Sequence, residues 1–326
     1  MSHKPFRFAL QAFNPKSPAA WREMVRKTED LGYSAYHLAD HFFGPGPAQE
    51  STGHPPQLLG AVPAIAMALE MTTTIKVGCR VFCMDYRDPI ILAKEAATMD
   101  YLSDGRLELG LGAGWIEAEY NAVNIPFMGI QQRLDKFEEV ISGVKAFMGG
   151  EALDIDGEYI KWQGFSGIPA RPERPPIMIG GGSKRVLTIA GREADIVSLN
   201  FNNRAGTLGP DGMMSGMAAQ TAKKIGWIKD GAGDRMDEVE LEIGAYLTVV
   251  TDHQQATASA IAEPFGMPVE DLLAGPHNLI GSVDYICEEL ERRREIYGIS
   301  YITVLDDGEN NMVEQFAPVV ARLAGR

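Results

Sequence analysis

Apolar runs of strand length alternate with amphipathic stretches of helix length along almost the whole chain, and this alternation restricts the fold more than any other feature. The predicted strands cover residues 6–12, 35–39, 75–81, 106–111, 176–179, 196–199, 241–250 and 299–305. Helices are predicted at 17–32, 58–70, from 89 onward, 132–148, 183–191, 216–228, 254–262, 283–297 and 313–323. Eight strand–helix units favour a single (β/α)8 TIM barrel domain over residues 1–326, with an open doubly wound sheet as the alternative.

Two segments interrupt the alternation and are predicted to be insertions. A small hairpin is expected at about 153–162, where Asp156-Gly157 supplies a tight turn between alternating residues. A Gly- and Met-rich insertion is expected at about 200–237. Loops on the carboxyl side of a barrel set specificity, so this insertion and the long loop after the second strand are predicted to shape the substrate site.

Composition limits the kinds of partner. The formal net charge of −14 over 326 residues disfavours nucleic acid and anionic membranes as partners. The three cysteines (Cys79, Cys83 and Cys287) cannot build a disulfide framework, and no apolar run reaches the length of a membrane span. The first residues do not read as a signal peptide. We therefore expect a cytoplasmic enzyme that acts on a small-molecule substrate.

A glycine-rich turn is the most informative local feature. Gly180, Gly181, Gly182 and Ser183 connect a short buried strand directly to a helix. Glycines let a ligand approach the backbone closely, and the start of a helix offers free N–H groups and a positive dipole to an anion. The turn therefore predicts a phosphate site, and a flexible turn without a ligand is the alternative.

A second glycine cluster ends the fourth strand. Gly112, Ala113 and Gly114 could let a planar ring lie against the barrel mouth, although glycines there could equally relieve crowding inside the barrel. His37 and His41 are too far apart along a strand to share one metal ion. Because Cys79 and Cys83 also lack zinc spacing, no metal site is predicted.

Four segments together, in order and spacing, resemble the luciferase-like flavin and deazaflavin oxidoreductases, the bacterial luciferase superfamily. They are Ala39-Asp40-His41; Val77-Gly78 with Arg87-Asp88-Pro89; Ser103-Asp104-Gly105-Arg106 with residues 110–115; and residues 175–182 with Ala194-Asp195. The sequence looks most like the branch that uses coenzyme F420, a deazaflavin.

The resemblance implies a cofactor ring at the carboxyl ends of the strands and its phosphate over residues 180–183. It also implies a backbone bulge, often with a non-proline cis peptide, near Val81, Phe82 and Cys83. The implied cofactor-binding residues are Asp40, His41, Val81, Phe82, Cys83, Gly112, Ala113, Gly114, Gly180, Gly181, Gly182 and Ser183. A homodimer is expected by resemblance alone.

The resemblance also bears on the reacting groups. His41 falls where sugar-phosphate dehydrogenases of this superfamily place an active-site histidine, so His41 is the candidate proton donor or acceptor. Those relatives carry a glutamate directly after the glycines of strand four, where this chain has Trp115. This departure argues against sugar-phosphate dehydrogenase activity, and the nearby Glu117 becomes a second candidate for proton transfer.

Three functions remain open. The first is an F420-dependent oxidoreductase that transfers a hydride between the deazaflavin and an organic substrate. The second keeps the fold but uses FMN and oxygen as a monooxygenase, because both cofactors share a tricyclic ring and a ribityl phosphate. The third is a barrel without catalysis that serves as a binding or accessory subunit.

Overall fold

The structure, a computed structural model, describes residues 4–12 and 14–326. Its strands, in chain order, are β1 (Arg7–Ala12), β2 (Ala35–Leu38), β3 (Lys76–Cys83), β4 (Leu107–Gly112), β5 (Ala152–Asp156), β6 (Lys161–Ser166), β7 (Ile177–Gly181), β8 (Ile196–Leu199), β9 (Glu240–Ala245), β10 (Leu247–Val250), β11 (Asn278–Gly281) and β12 (Ile299–Asp306).

Eight parallel strands close into a barrel in the order β1-β12-β9-β8-β7-β4-β3-β2. The predicted (β/α)8 architecture is therefore confirmed. Seven of the eight predicted strands agree with the barrel strands to within about two residues at each end, which is the usual uncertainty of such boundaries.

The helices pack around the barrel or cap its loops. They are α1 (Pro18–Asp30), α2 (Pro47–Glu50), α3 (Ala61–Met71), α4 (Pro89–Leu102), α5 (Glu117–Ala122), α6 (Ile130–Met148), α7 (Lys184–Glu193), α8 (Pro210–Met214), α9 (Ala218–Ala232), α10 (Gln254–Ala262), α11 (Val269–Ala274), α12 (Val283–Tyr297), α13 (Met312–Gln315) and α14 (Ala317–Leu323). Short 3₁₀ helices cover Gly233–Asp237 and Glu263–Phe265. Local sequence explains several starts: the side chain of Ser17 accepts the amide of Ala20 at the start of α1, and Asp88 does the same for Ile90 at α4.

Two small sheets lie outside the barrel. β5 and β6 pair antiparallel as a hairpin over the segment where the sequence predicts one. β10 pairs with β11 in a separate parallel sheet. The prediction of one continuous strand over 241–250 is thus wrong, because the chain leaves the barrel at Tyr246 and its second half joins the other sheet.

The barrel lumen holds charged side chains that reach across it. Arg7 on β1 forms ion pairs with Glu108 on β4 and Glu240 on β9, strands that are not neighbours in the barrel. Tyr301 donates a hydrogen bond to Glu108 at 2.8 Å, and His37 lies 3.0 Å from the same carboxylate. Burial alone would raise the pKa of Glu108, but the charge of Arg7 and the bond with His37 hold it at about 2. This cluster closes the amino-terminal half of the lumen, so the site must lie at the carboxyl end.

Candidate active site

The third strand bulges at the barrel mouth. Cys79 pairs with Leu109, but the next pairing joins Phe82 to Leu111, so the register shifts between them. The peptide bond between Arg80 and Val81 is cis. The irregular backbone that the resemblance implies near residues 81–83 is therefore confirmed.

The side chain of Val81 lies between the glycines of two strands. A Cβ atom added to Gly112 would come within 2.6 Å of a Val81 methyl, and one added to Gly180 would come within 3.2 Å. Val81, Gly180 and Gly181 are only partly buried, so this surface is open at the mouth. The bulge thus brings the two predicted glycine clusters together beside one apolar side chain.

Asp40 fixes the bulge from the neighbouring strand. Its carboxylate accepts the amide of Cys83 at 2.9 Å and both guanidinium nitrogens of Arg87, at 2.9 and 2.7 Å. Phe82, by contrast, is fully buried in the core between barrel and helices. Its side chain therefore cannot form a wall of the mouth, and only its backbone lies at the bulge.

Ala113 and Gly114 form the turn that follows β4. Gly114 has a φ of 72°, and the hydroxyl of Tyr120 occupies the space that a side chain there would need. Arg133 donates to the carbonyl of Gly114 at 2.6 Å and more weakly to that of Ala113 at 3.4 Å. Cys83 lies 3.0 Å from the Tyr120 hydroxyl, and burial raises the pKa of its thiol to about 12, so this thiol is not a nucleophile.

His41 contacts a buried carboxylate that the sequence analysis did not select. Its Nδ1 lies 2.7 Å from Oε2 of Glu119, whose Oε1 accepts the amide of Phe42 at 2.8 Å. The hydroxyl of Tyr86 donates to the same Oε2. Burial would raise the pKa of Glu119, but these hydrogen bonds, led by that from His41, lower it below its usual value.

Glu117, the predicted candidate, is the first residue of α5 and is exposed. Two positions along a helix are about 200° apart, so Glu117 and Glu119 point in nearly opposite directions. Glu119 is the carboxylate that reaches His41. The spacing from the glycines alone could not have distinguished the two.

Aromatic rings surround His41. The ring of His54, from the long loop after β2, lies 4.1 Å from the His41 ring between centroids, and Trp115 meets His41 edge-on at 6.2 Å. The ring of Phe43 lies nearly parallel to that of His41, with centroids 6.4 Å apart. Burial, together with the nearby His41, lowers the pKa of His54 to about 4, so His54 is neutral at physiological pH.

The predicted phosphate turn lies at the amino-terminal end of α7. Ser183 is the N-cap residue, yet its side chain makes no capping bond and remains available. Behind the turn, the buried Lys224 of α9 donates to the carbonyl of Asn200 at 2.6 Å, and that same carbonyl packs against Gly182. Burial lowers the pKa of Lys224 to about 8. This lysine was not predicted from the sequence, because α9 is distant in sequence from the turn.

The opposite wall of the mouth comes from β8 and the end of β9. Arg80 donates from Nε to both oxygens of Glu242, at 2.9 and 3.0 Å across the lumen. Its other nitrogens reach Asn200 at 3.1 Å and the Tyr246 hydroxyl at 3.3 Å. The tyrosine hydroxyl also donates to the Asn200 side chain. These bonds hold Arg80 in place directly before the bulge.

A groove of about 360 Å³ lies elsewhere, between the start of α1 and the start of α3, and includes Trp21, Leu58 and Met67. It contains none of the glycines, histidines or carboxylates described above, so we place the candidate site at the mouth. Within residues 4–12 and 14–326, no cluster of three His, Cys, Asp or Glu side chains is arranged to hold a metal ion. None of the helices in these same ranges combines the length and apolar character that a membrane span requires.

Comparison with known proteins places the chain in a family. The sequence model of the luciferase-like monooxygenases matches residues 5–321. An F420-dependent glucose-6-phosphate dehydrogenase of Amycolatopsis mediterranei is 27% identical over 256 residues, which are 77% of this chain and 70% of that protein. Matches to proteins of the same name from Kineococcus radiotolerans and Gordonia bronchialis span only 51% and 54% of their length.

Solved structures share the fold across the whole chain. An F420-dependent secondary alcohol dehydrogenase, in complex with an F420-acetone adduct, superimposes with a TM-score of 0.77 at 14% identity, covering 98% of this chain and 99% of that one. A long-chain alkane monooxygenase has a TM-score of 0.75 at 14% identity, covering 99% and 92%. Because the family model covers nearly all of the sequence, the chain belongs to the luciferase-like monooxygenase family of oxidoreductases.

Proposed function

We propose that the protein is an F420-dependent oxidoreductase that transfers a hydride between the deazaflavin and a small organic substrate. The observation that carries the proposal is the position of Val81 between Gly112 and Gly180 at the open mouth of the barrel. Gly180 lies in the short segment that leads directly into α7. The F420-dependent names of the Amycolatopsis relative and of the alcohol dehydrogenase structure support the choice of cofactor.

The residues present fit a tricyclic ring with a phosphate tail. Val81 packs against Gly112, and because Val81 and Gly180 are only partly buried they offer an apolar surface against which a planar ring can lie. The unengaged hydroxyl of Ser183 and the free amides at the start of α7 suit a phosphate. The buried ammonium of Lys224 adds positive charge behind that turn.

When bound, a deazaflavin supplies a ring carbon that exchanges hydride and reacts poorly with oxygen. The protein would hold a substrate against that ring and move one proton at the substrate oxygen. We assign the proton to His41, which lies at the mouth with its Nε2 unbonded to any described residue. Glu117 is exposed and turned away from His41, and we assign it no part in this step.

The side chains around His41 indicate what kind of substrate the site can accept. The ring is enclosed by Phe43, His54 and Trp115, which offer apolar and aromatic contact rather than cations. Trp115 stands where sugar-phosphate dehydrogenases of the superfamily carry a glutamate. We therefore propose an uncharged organic substrate instead of a sugar phosphate.

Binding titrations test the cofactor. We expect F420 to bind the purified protein and Gly180→Val to weaken that binding at least about tenfold, because the new side chain projects beside Val81 into the mouth. Gly226→Ala is the matched control, since a Cβ there meets nothing within 4 Å. Unchanged F420 affinity in Gly180→Val would contradict the placement of the ring.

The FMN-dependent monooxygenase remains the second candidate, favoured by the alkane monooxygenase among the structural neighbours. Tight FMN binding without F420 binding would establish this alternative. If neither cofactor bound, an accessory role would replace both.

We also propose that the protein is a cytoplasmic homodimer. A monomer mass in light scattering would contradict the dimer, and recovery from the membrane or secreted fraction of its native cells would contradict the location.

A further inference from the structure

Glu119 makes more contacts around His41 than any other described carboxylate. We propose that Glu119 is a positioning residue that holds neutral His41 in the Nδ1–H tautomer, so that the Nε2 lone pair faces the mouth. It would thereby fix which nitrogen of His41 exchanges a proton with the substrate.

The hydrogen bonds of the carboxylate determine the tautomer. Oε1 accepts the amide of Phe42, and an amide nitrogen can only donate. Oε2 accepts the hydroxyl of Tyr86 and lies 2.7 Å from Nδ1 of His41. An ionised carboxylate has no proton to give, so Nδ1 must carry the hydrogen in this contact. The remaining nitrogen, Nε2, is then the acceptor.

Glu119 is well placed to keep this role at neutral pH. Its side chain is fully buried, whereas that of His41 is 12% exposed. The hydrogen bonds keep the pKa of Glu119 below its usual range despite the burial, so it remains ionised at neutral pH. A carboxylate that orients a histidine ring in this way stabilises one tautomer and also the protonated form.

Among the residues that the structure describes, Glu119 is the hydrogen-bond partner of Nδ1 of His41. His54 faces the ring from the long loop, and its own Nδ1 contacts the carbonyl of Pro55 at 2.9 Å. Asp40, the neighbouring residue in the chain, is occupied by Arg87 and by the amide of Cys83. Trp115 and Phe43 contribute only ring contacts.

An isosteric substitution separates this role from simple packing. In Glu119→Gln, the amide of Phe42 still requires an acceptor, so the glutamine oxygen stays at the Oε1 position. The glutamine NH₂ group then replaces Oε2 and donates toward Nδ1 of His41. The Tyr86 hydroxyl, which donates to Oε2 in the wild type, can turn to accept from this group, whereas the amide of Phe42 can only donate. The imidazole must accept there, and its hydrogen moves to Nε2. The shape of the side chain is unchanged while the tautomer is reversed.

Nitrogen NMR of the full chain labelled with ¹⁵N-histidine tests the proposal. The His41 signals are assigned by their loss in His41→Asn, and the tautomer is read from the neutral ring at the upper end of a pH series. We expect protonated Nδ1 in the wild type and protonated Nε2 in Glu119→Gln. Glu117→Gln is the matched control, because that side chain is exposed, and it should keep the wild-type pattern.

Two outcomes would overturn the proposal: an Nε2–H tautomer in the wild-type protein, or an unchanged Nδ1–H tautomer in folded Glu119→Gln. The first measurement decides the question even if the variant does not fold. The catalytic meaning rests on the proposed function, and with turnover in hand Glu119→Gln should lower kcat about 100-fold while leaving KM nearly unchanged. Because the tautomer is measured without cofactor, failure of F420 binding would refute the function and leave this result standing.

Discussion

The packing of Val81 against Gly112 of β4 can be measured as a coupling energy. In Gly112→Ala the new Cβ would lie 2.6 Å from a Val81 methyl, about 1 Å closer than an ordinary carbon contact. Overpacking of this kind costs about 1–3 kcal/mol. Val81→Ala removes the methyl groups that cause the clash and by itself costs about 1–2 kcal/mol of burial. In the double variant the clash is absent, so we expect the two changes to be coupled by about 1–2 kcal/mol.

Urea unfolding of the four proteins of this double-mutant cycle, followed by circular dichroism, gives the coupling. Gly78→Ala is the control, because its Cβ would overlap the backbone carbonyl of Glu108 in the neighbouring strand and meets no atom of Val81 among its nearest neighbours. Val81→Ala cannot relieve that overlap, so Gly78→Ala should remain strongly destabilising in both backgrounds. If the effects of Gly112→Ala and Val81→Ala add to within about 0.5 kcal/mol, Val81 does not occupy the space that we assign to it.

Three further predictions concern single groups. Asp40→Asn should lower the free energy of unfolding by about 2–4 kcal/mol, because it breaks a largely buried ion pair with Arg87. Asp156→Asn is the control: it breaks only the exposed ion pair with Lys161 and should change the free energy of unfolding by less than about 0.5 kcal/mol in the same urea assay. Burial lowers the pKa of Lys224 from 10.5 to about 8, so the folded state loses its proton first as pH rises. The free-energy cost of burying the charge is therefore present below about pH 8 and is relieved between about pH 8 and 10.5. Over that window the free energy of unfolding of the wild type should rise by about 3 kcal/mol relative to that of Lys224→Met. A difference between the two proteins that does not change with pH would contradict this prediction. Cys83, whose pKa burial raises to about 12, should resist iodoacetamide at pH values where the unfolded chain is labelled, and rapid labelling of the folded protein in mass spectrometry would show that the thiol is accessible.

The sequence predicts the barrel well because its strands are buried on both faces and form mostly apolar runs of strand length. The prediction fails where one run of the sequence contains two strands that belong to different sheets. Residues 241–250 are mostly apolar, with Glu242 and Thr248 as the polar exceptions, yet β9 ends at Ala245 and β10 pairs with β11, a strand that was not predicted from the sequence. Hydrophobicity marks both segments as strands but carries no information about which sheet each one joins.

The residues that the structure brings together at the mouth could be predicted where they are contiguous in the chain. Asp40 and the glycines of β4 and β7 lie in short motifs, and the bulge is implied by the resemblance. Glu119 was missed because its contact with His41 depends on where α5 begins and how that helix is rotated. Lys224 was missed because it reaches Asn200 from a helix 24 residues away. Both contacts are set by tertiary packing, which no local pattern records.

The small sheet of β10 and β11 has a consequence for how this enzyme can change. Together with α10 and α11 it surrounds an apolar cluster of its own, built on Ala258, Ala262, Leu272 and Ile280, apart from the main core. We therefore expect substitutions in this unit to change its local stability more than the stability of the barrel. We expect the rim next to Tyr246 to tolerate substitution while the barrel strands keep their own packing.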